Sequence, residues 1–184
     1  MDGTNTVSLW VDGAFAIHND TKSHTGAYMS LRIGAAYASS SKQKINMRSS
    51  TEAELVAADD SMPHIVWTRY FLEEQGYGMS NNIFYQEKHS TMLLEKNGRA
   101  SSSKQTHHIN IIYIFVTNRI SAGEINVRYC PTLYMIGDYF TKPLQGSLFC
   151  NFRNNIIGIT ETDIPIYIRL SNLAWTARKT LKSK

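Results

Sequence analysis

Hydrolysis of a phosphodiester by two metal ions needs several carboxylates that converge on two hard divalent cations roughly 4 Å apart. Among the 15 Asp and Glu of this 184-residue chain, position singles out four. Asp12 stands in the otherwise apolar run Val7–Ala16, where a carboxylate without a partner is costly to bury. Glu54 falls in the first turn of an expected helix, Glu87 just past a short β-type run, and Asp138 at the start of a last short helix. All four sit at element ends, where connecting loops can gather. Each also has a plainer reading. Thr51 and Glu54 match a capping box, Asp12-Gly13 could mark a bulge, Asp138 could serve as a helix N-terminal charge, and Glu87 could be a solvated loop residue.

The elements that must position these residues follow from periodicity. Val7–Ala16 reads as a strand, and Gly26–Ile33 and Ala35–Ser40 as two more, joined through Gly34 as a hairpin turn. Three strands from consecutive sequence suggest an antiparallel meander. At Ser49-Ser50-Thr51-Glu52-Ala53-Glu54 capping signals open a helix. Leu55, Ala58, Met62, Ile65 and Val66 continue it at helical spacing toward Glu73, with a kink or break expected at Pro63. Ile83-Phe84-Tyr85 reads as a strand, Ser90–Lys96 as helical, and Asn97–Gln105 as a polar loop. Ile109–Ile120 is expected as a second long helix, Glu124–Cys130 as a strand, and Ile136–Phe140 as the last short helix. Strands alternating with helices after a meander predict an α/β fold, a mixed sheet with helices packed on its faces. The folded domain is placed at residues 7–158, and residues 159–184 are set apart as a basic C-terminal tail.

Composition narrows the class. Hydrophobic residues make up 42% and charged residues 18%, the balance of an ordinary globular protein. The longest apolar stretch, Ile109–Val116, falls far short of the roughly 20 residues that cross a bilayer, so no membrane partner is expected. Met-Asp-Gly-Thr-Asn-Thr at the start has neither a basic nor an apolar region, so an intracellular protein is expected. Cys130 and Cys150 lack zinc-spaced neighbours and read as free thiols. The net charge of +4 suits a polyanionic partner without requiring one. His107 and His108 have no further ligand at zinc spacing. Lys104, His108 and Lys142 are instead candidate contacts to a nucleic-acid backbone. Trp10, Trp67, Tyr70 and Phe71 read as core rather than as a base-stacking surface.

At the chemistry-bearing residues the chain resembles a family. Trp10-Val11-Asp12, Lys22-Ser23-His24-Thr25-Gly26, Ser39-Ser40-Ser41-Lys42-Gln43, Ser49-Ser50-Thr51-Glu52-Ala53-Glu54 and Asp138-Tyr139-Phe140-Thr141-Lys142-Pro143-Leu144 are similar to successive motifs of the ribonuclease H domain of copia-type retrotransposon Pol polyproteins. The likeness runs from about Val7 to Gly158. It implies a five-stranded mixed sheet, its first three strands antiparallel, with helices on both faces. It implies Mg2+-dependent cleavage (two ions, with Mn2+ a possible substitute) of the RNA strand of an RNA–DNA hybrid during reverse transcription. It further implies the reverse transcriptase portion of the same polyprotein as a partner, and a cytoplasmic virus-like particle or the nucleus as the location. Carried across by motif, Asp12, Glu54 and Asp138 match metal ligands. Integrases and resolvases share such carboxylate clusters, but the Thr-Glu-Ala-Glu and Thr-Lys-Pro-Leu pair argues against them.

The third ligand departs from the pattern. The family has Asp-Asn-Gln-Ser after the fourth strand, where this chain has Glu87-Lys88-His89-Ser90. Glutamate keeps the charge on a side chain one methylene longer, and a misplacement of about 1 Å can cost on the order of 100-fold in rate. Lys88 adds a cation beside the site. The run His107-His108-Ile109-Asn110-Ile111-Ile112-Tyr113 also lacks an acid and an arginine common in the family. Two expectations follow: a hydrolase with an impaired site, or a catalytically inactive nucleic-acid-binding or interaction module from a degenerate or domesticated element.

Overall fold

The structure is a computed structural model that describes residues 5–87 and 107–159, with side chains described from 111 onward in the second span. The helix expected at Ser90–Lys96, the loop at Asn97–Gln105 and the basic tail after Ile159 lie outside the described residues.

Strands β1 (Thr6–Ala14), β2 (His24–Ser30) and β3 (Tyr37–Lys42) form the antiparallel meander. Helix α1 (Ser50–Glu74) then leads to β4 (Asn81–Gln86), and α2 (His107–Ser121) leads to β5 (Asn126–Tyr129). The order in the five-stranded sheet is β3-β2-β1-β4-β5, with β1, β4 and β5 mutually parallel. Two short 3-10 turns follow, Thr132–Tyr134 and Ile136–Phe140, and α3 (Gly146–Ile157) completes the described chain. This order and these directions are those of a ribonuclease H-like fold. None of the helices among the described residues is long and apolar enough to cross a membrane.

The alternation of β1 explains why both faces are covered. Val7, Leu9 and Val11, all fully buried, pack with Leu55, Ala58, Met62, Ile65, Phe84 and Val116 beneath α1 and α2. A period of two sends Trp10 to the opposite face, where it stacks on Tyr85 at 4.7 Å between ring centroids. There Tyr28, Ile136 and Phe152 form a second, smaller core under α3 and the second 3-10 turn.

Four expectations change. Strand β2 begins two and ends three residues before its expected bounds, and β3 lies two residues after its own, so Leu31–Ala36 form a longer connection in which Gly34 adopts φ 72°. Helix α1 runs unbroken through Pro63, because that residue lies on the exposed side of a helix anchored elsewhere by buried Met62, Ile65 and Val66. Ile136–Phe140 is a 3-10 turn, and the last α-helix lies beyond it, where none was expected. Trp67, Tyr70 and Phe71 are not core: they are 65%, 45% and 48% exposed. Both cysteines are free, Cys130 buried and Cys150 exposed.

Candidate metal centre

Asp12 occupies the C-terminal half of the central strand β1, opposite Gly26 on β2. Close packing crowds elements around it. A Cβ on Gly13 would lie 2.7 Å from the carbonyl oxygen of Ala53, so only glycine lets α1 approach β1 there. On Gly26, a Cβ would lie 2.7 Å from the carbonyl oxygen of Gly137, which is how the 3-10 turn carrying Asp138 reaches the sheet. Asp12 and Asp138 are thereby 3% and 1% exposed, far less than unpaired carboxylates tolerate.

Three of the four carboxylates singled out in the sequence converge. Asp12, Glu87 and Asp138 each offer an oxygen, and these oxygens lie within 4.8 Å of one another. Glu87 follows β4, the parallel neighbour of β1, and is held by the hydroxyl of Thr132, which donates to its Oε1. The Thr141 hydroxyl donates to Asp12 Oδ2, so the turn that brings Asp138 also fixes the orientation of Asp12. Burial pushes the Asp138 carboxyl up to about 6, aided by the negative charges of Asp12 and Glu87 and opposed by Lys142.

Glu54 stands beside this group rather than in it. Its Oε2 accepts the Gly13 N–H at 3.0 Å and a hydrogen of Gln86 Nε2 at 3.0 Å, tying α1 to β1 and to the end of β4. The capping role considered for Thr51 and Glu54 belongs instead to Ser49, whose Oγ accepts the Glu52 N–H at 3.2 Å. Glu54 is thus a buried tie between the strands that carry Asp12 and Glu87.

A cation already sits among the carboxylates. Lys142 Nζ lies 2.7 Å from Asp138, 3.7 Å from Asp12 and 4.0 Å from Glu87. Burial pulls its ammonium down, but the hydrogen bond to Asp138 and the fields of the three carboxylates win, so it ends above its ordinary value. Lys142 therefore turns toward the acids, with its side chain still 40% exposed. Lys88 and Lys104 lie outside the described residues, and so does the side chain of His108.

The donor set fits a hard divalent cation. Carboxylate oxygens suit Mg2+ and Mn2+, and oxygens now within 4.8 Å of one another would close to about 3.0 Å around one octahedral ion at about 2.1 Å each. A second ion would draw on Glu54, whose Oε2 is at present shared by two donors.

Comparison with known proteins agrees with the motif likeness. No protein-family model matches the chain. The retrovirus-related Pol polyprotein of transposon RE1 from Arabidopsis thaliana is 32% identical over 67% of the chain. That of transposon TNT 1-94 from Nicotiana tabacum is 28% identical over 71%, and that of transposon RE2 from Arabidopsis thaliana 32% over 64%. The chain belongs to the ribonuclease H domains of copia-type Pol polyproteins. It spans 8%, 10% and 8% of the length of these three relatives. Solved structures similar to this ribonuclease H domain include RNase H1 LC11, isolated from compost by a metagenomic approach, at TM-score 0.48 and 10% identity over 70% of the domain and 86% of that chain. The N-terminal RNase H domain of a Mycobacterium tuberculosis protein gives 0.45 and 14% over 68% and 87%. RNase H1 of Halobacterium salinarum gives 0.41 and 11% over 69% and 86%.

Some participants escaped the sequence reading. Gln43, 2% exposed, donates from Nε2 to Thr25 Oγ1 at 3.1 Å and to the Ala53 carbonyl at 2.8 Å, clamping the end of β3 to β2 and α1. Its only signal was its place in the Ser-Ser-Ser-Lys-Gln motif. Thr132 and Thr141 had none as single residues, since their partners lie 45 and 129 positions away.

Proposed function

We propose that this ribonuclease H domain cuts the RNA strand of RNA–DNA hybrids with the help of two divalent ions held by Asp12, Glu87, Asp138 and Glu54. The fold and the Pol polyprotein relatives support nucleic-acid hydrolysis of the ribonuclease H type in general. One observation carries the finer reading: three carboxylates, buried Asp12 and Asp138 and half-buried Glu87, meet at one end of the central parallel strands. Bound divalent ions would activate the attacking water and stabilise the leaving oxygen. Asp12, fixed by Thr141, and Glu87, fixed by Thr132, present oxygens in set directions. Asp138 must be ionised to serve, which favours neutral or higher pH. Lys142 must give up its bond to Asp138, and its ammonium is then free to meet a phosphate of the substrate. The expected products end in a 3′-hydroxyl and a 5′-phosphate. Contacts to the hybrid backbone make binding salt-dependent and nearly indifferent to sequence. The reverse transcriptase portion of the same polyprotein is the partner that would deliver the hybrid.

Two observations favour a second reading, a silent hybrid-binding module: glutamate at position 87 and the Lys142 ammonium 2.7 Å from Asp138. Labelled hybrid incubated with Mg2+ or Mn2+ and either the unaltered domain or Glu87→Asp separates the two. Cleavage by the unaltered domain supports a working nuclease. Hybrid binding without cleavage by either protein overturns it in favour of the module.

A further inference from the structure

The connection between β1 and β2 builds a second polar cluster that the carboxylate chemistry does not use. The His18 N–H donates to the Lys22 carbonyl at 3.2 Å and the Thr21 N–H to the His18 carbonyl at 2.8 Å, closing a tight loop. Thr21 sits at φ 58° and Ala16 at φ 51°, and the Ala16 N–H is held by Ser23 Oγ at 3.1 Å. His18 is thereby fixed over the start of β2, where its Nε2 meets Nδ1 of His24 at 3.0 Å.

The hydrogen bonds settle which nitrogens carry lone pairs. The Ser40 hydroxyl donates to the Phe140 carbonyl at 2.7 Å, so its oxygen must accept from His24 Nε2, 2.8 Å away. That places the His24 proton on Nε2 and leaves a lone pair on Nδ1, facing His18. Burial and the neighbouring His18 hold His24 below its ordinary value near 6.5, consistent with a neutral ring. A histidine whose far N–H is anchored by a second group, with its near nitrogen free to donate electrons, is the arrangement of a metal-ligating imidazole.

We propose that His18 Nε2 and His24 Nδ1 bind a transition-metal ion that prefers imidazole, Zn2+ or Ni2+, at a site separate from the carboxylates. Two nitrogens at about 2.0–2.1 Å from one tetrahedral ion lie about 3.3 Å apart. The rings need only open by a few tenths of an ångström and tilt, while His18 moves its proton to Nδ1. A pocket of about 380 Å³ lined by Ile17, His18, Asn19, Asp20 and Lys42 opens beside His18. Asp20 is now held by Lys42 at 2.7 Å and becomes a third ligand only by releasing that ammonium. Imidazole donors suit Zn2+ and Ni2+, whereas the carboxylate centre suits Mg2+, so the two sites select different ions.

The test is calorimetric titration of Zn2+ into the domain in excess Mg2+, which fills the carboxylate centre. His18→Asn, His24→Asn and His64→Asn are compared with the unaltered chain, and each fold is checked by metal-free melting. The expected result is one Zn2+ bound by the unaltered chain and by His64→Asn. His18→Asn and His24→Asn should each weaken it by at least about 10-fold. His18→Asn removes a half-buried loop side chain whose ring is hydrogen-bonded to His24, so it decides the matter even if His24→Asn does not fold. Equal Zn2+ affinity in His18→Asn and the unaltered chain overturns the proposal, as does an equal loss in His64→Asn.

Discussion

At the residue scale, the centre is governed by how much charge can be packed into little water. Asp12 and Asp138 are almost fully buried, Glu87 is about a quarter exposed, and one ammonium stands among them. Two charges 4 Å apart interact by about 1 kcal/mol even in bulk water, so Lys142 and a divalent ion compete directly. Lys142→Met is expected to tighten Mn2+ binding by about 10-fold in calorimetry, a change of ~1.4 kcal/mol. Unchanged or weaker binding would show that the ammonium does not oppose the ion. Asp138 adds a pH dependence. Its folded value near 6 lies above its unfolded value near 3.8, so the folded state holds the proton more tightly. The resulting stabilisation is complete below about pH 4 and is lost as pH rises through about 6, at most about 3 kcal/mol. Without metal, the unaltered domain should lose stability between pH 4 and pH 7 relative to Asp138→Asn in denaturant titrations. Parallel curves would refute the raised carboxyl. Of the site, Asp12 was legible because a buried acid in an apolar strand is costly and therefore informative, whereas Asp138 was marked only by its place at an element end and by the Thr-Lys-Pro-Leu motif that follows it. Lys142 was legible only as a basic residue, although its i,i+4 spacing from Asp138 held the ion pair in plain view.

At the element scale, close approach decides what the centre looks like. Gly13 sits where a Cβ would meet Ala53 O at 2.7 Å and Glu54 Cα at 2.8 Å, both backbone atoms that cannot step aside. Gly13→Ala should therefore push α1 off β1, cost about 1–3 kcal/mol as an overpacked core does, and loosen Glu54 from the Gly13 N–H. Urea unfolding measures the loss, and an unchanged midpoint would contradict the packing. The strands and the two long helices were readable because their apolar periods are strong. Helix α3 was not, since only Leu148, Phe152 and Ile156 mark its inner face, at spacing four, within a run of polar residues. Its end was visible in principle: Gly158 adopts φ 73° and its N–H reaches the Asn155 carbonyl. Pro63 misled because a proline on an exposed helix face costs a hydrogen bond without breaking the packing of the face opposite.

At the scale of the whole molecule, one sheet does two jobs. Its α1–α2 face holds the main core, and its other face carries the turn and helix that deliver Asp138, Thr141 and Lys142 to the ends of β1 and β4. The antiparallel meander could be inferred from three consecutive strands. That some strands run parallel was implied by their alternation with helices, but the order β3-β2-β1-β4-β5, with β1 beside β4, could not be read because no local pattern encodes which strands become neighbours. The most direct test is cleavage of a labelled RNA–DNA hybrid in Mg2+ by the unaltered domain and by Asp12→Asn, which keeps the shape of the side chain but not its charge. The expected result is RNA-strand cleavage by the unaltered domain and its loss in Asp12→Asn. Cleavage that survives Asp12→Asn would place the chemistry elsewhere in the molecule and contradict the assigned centre.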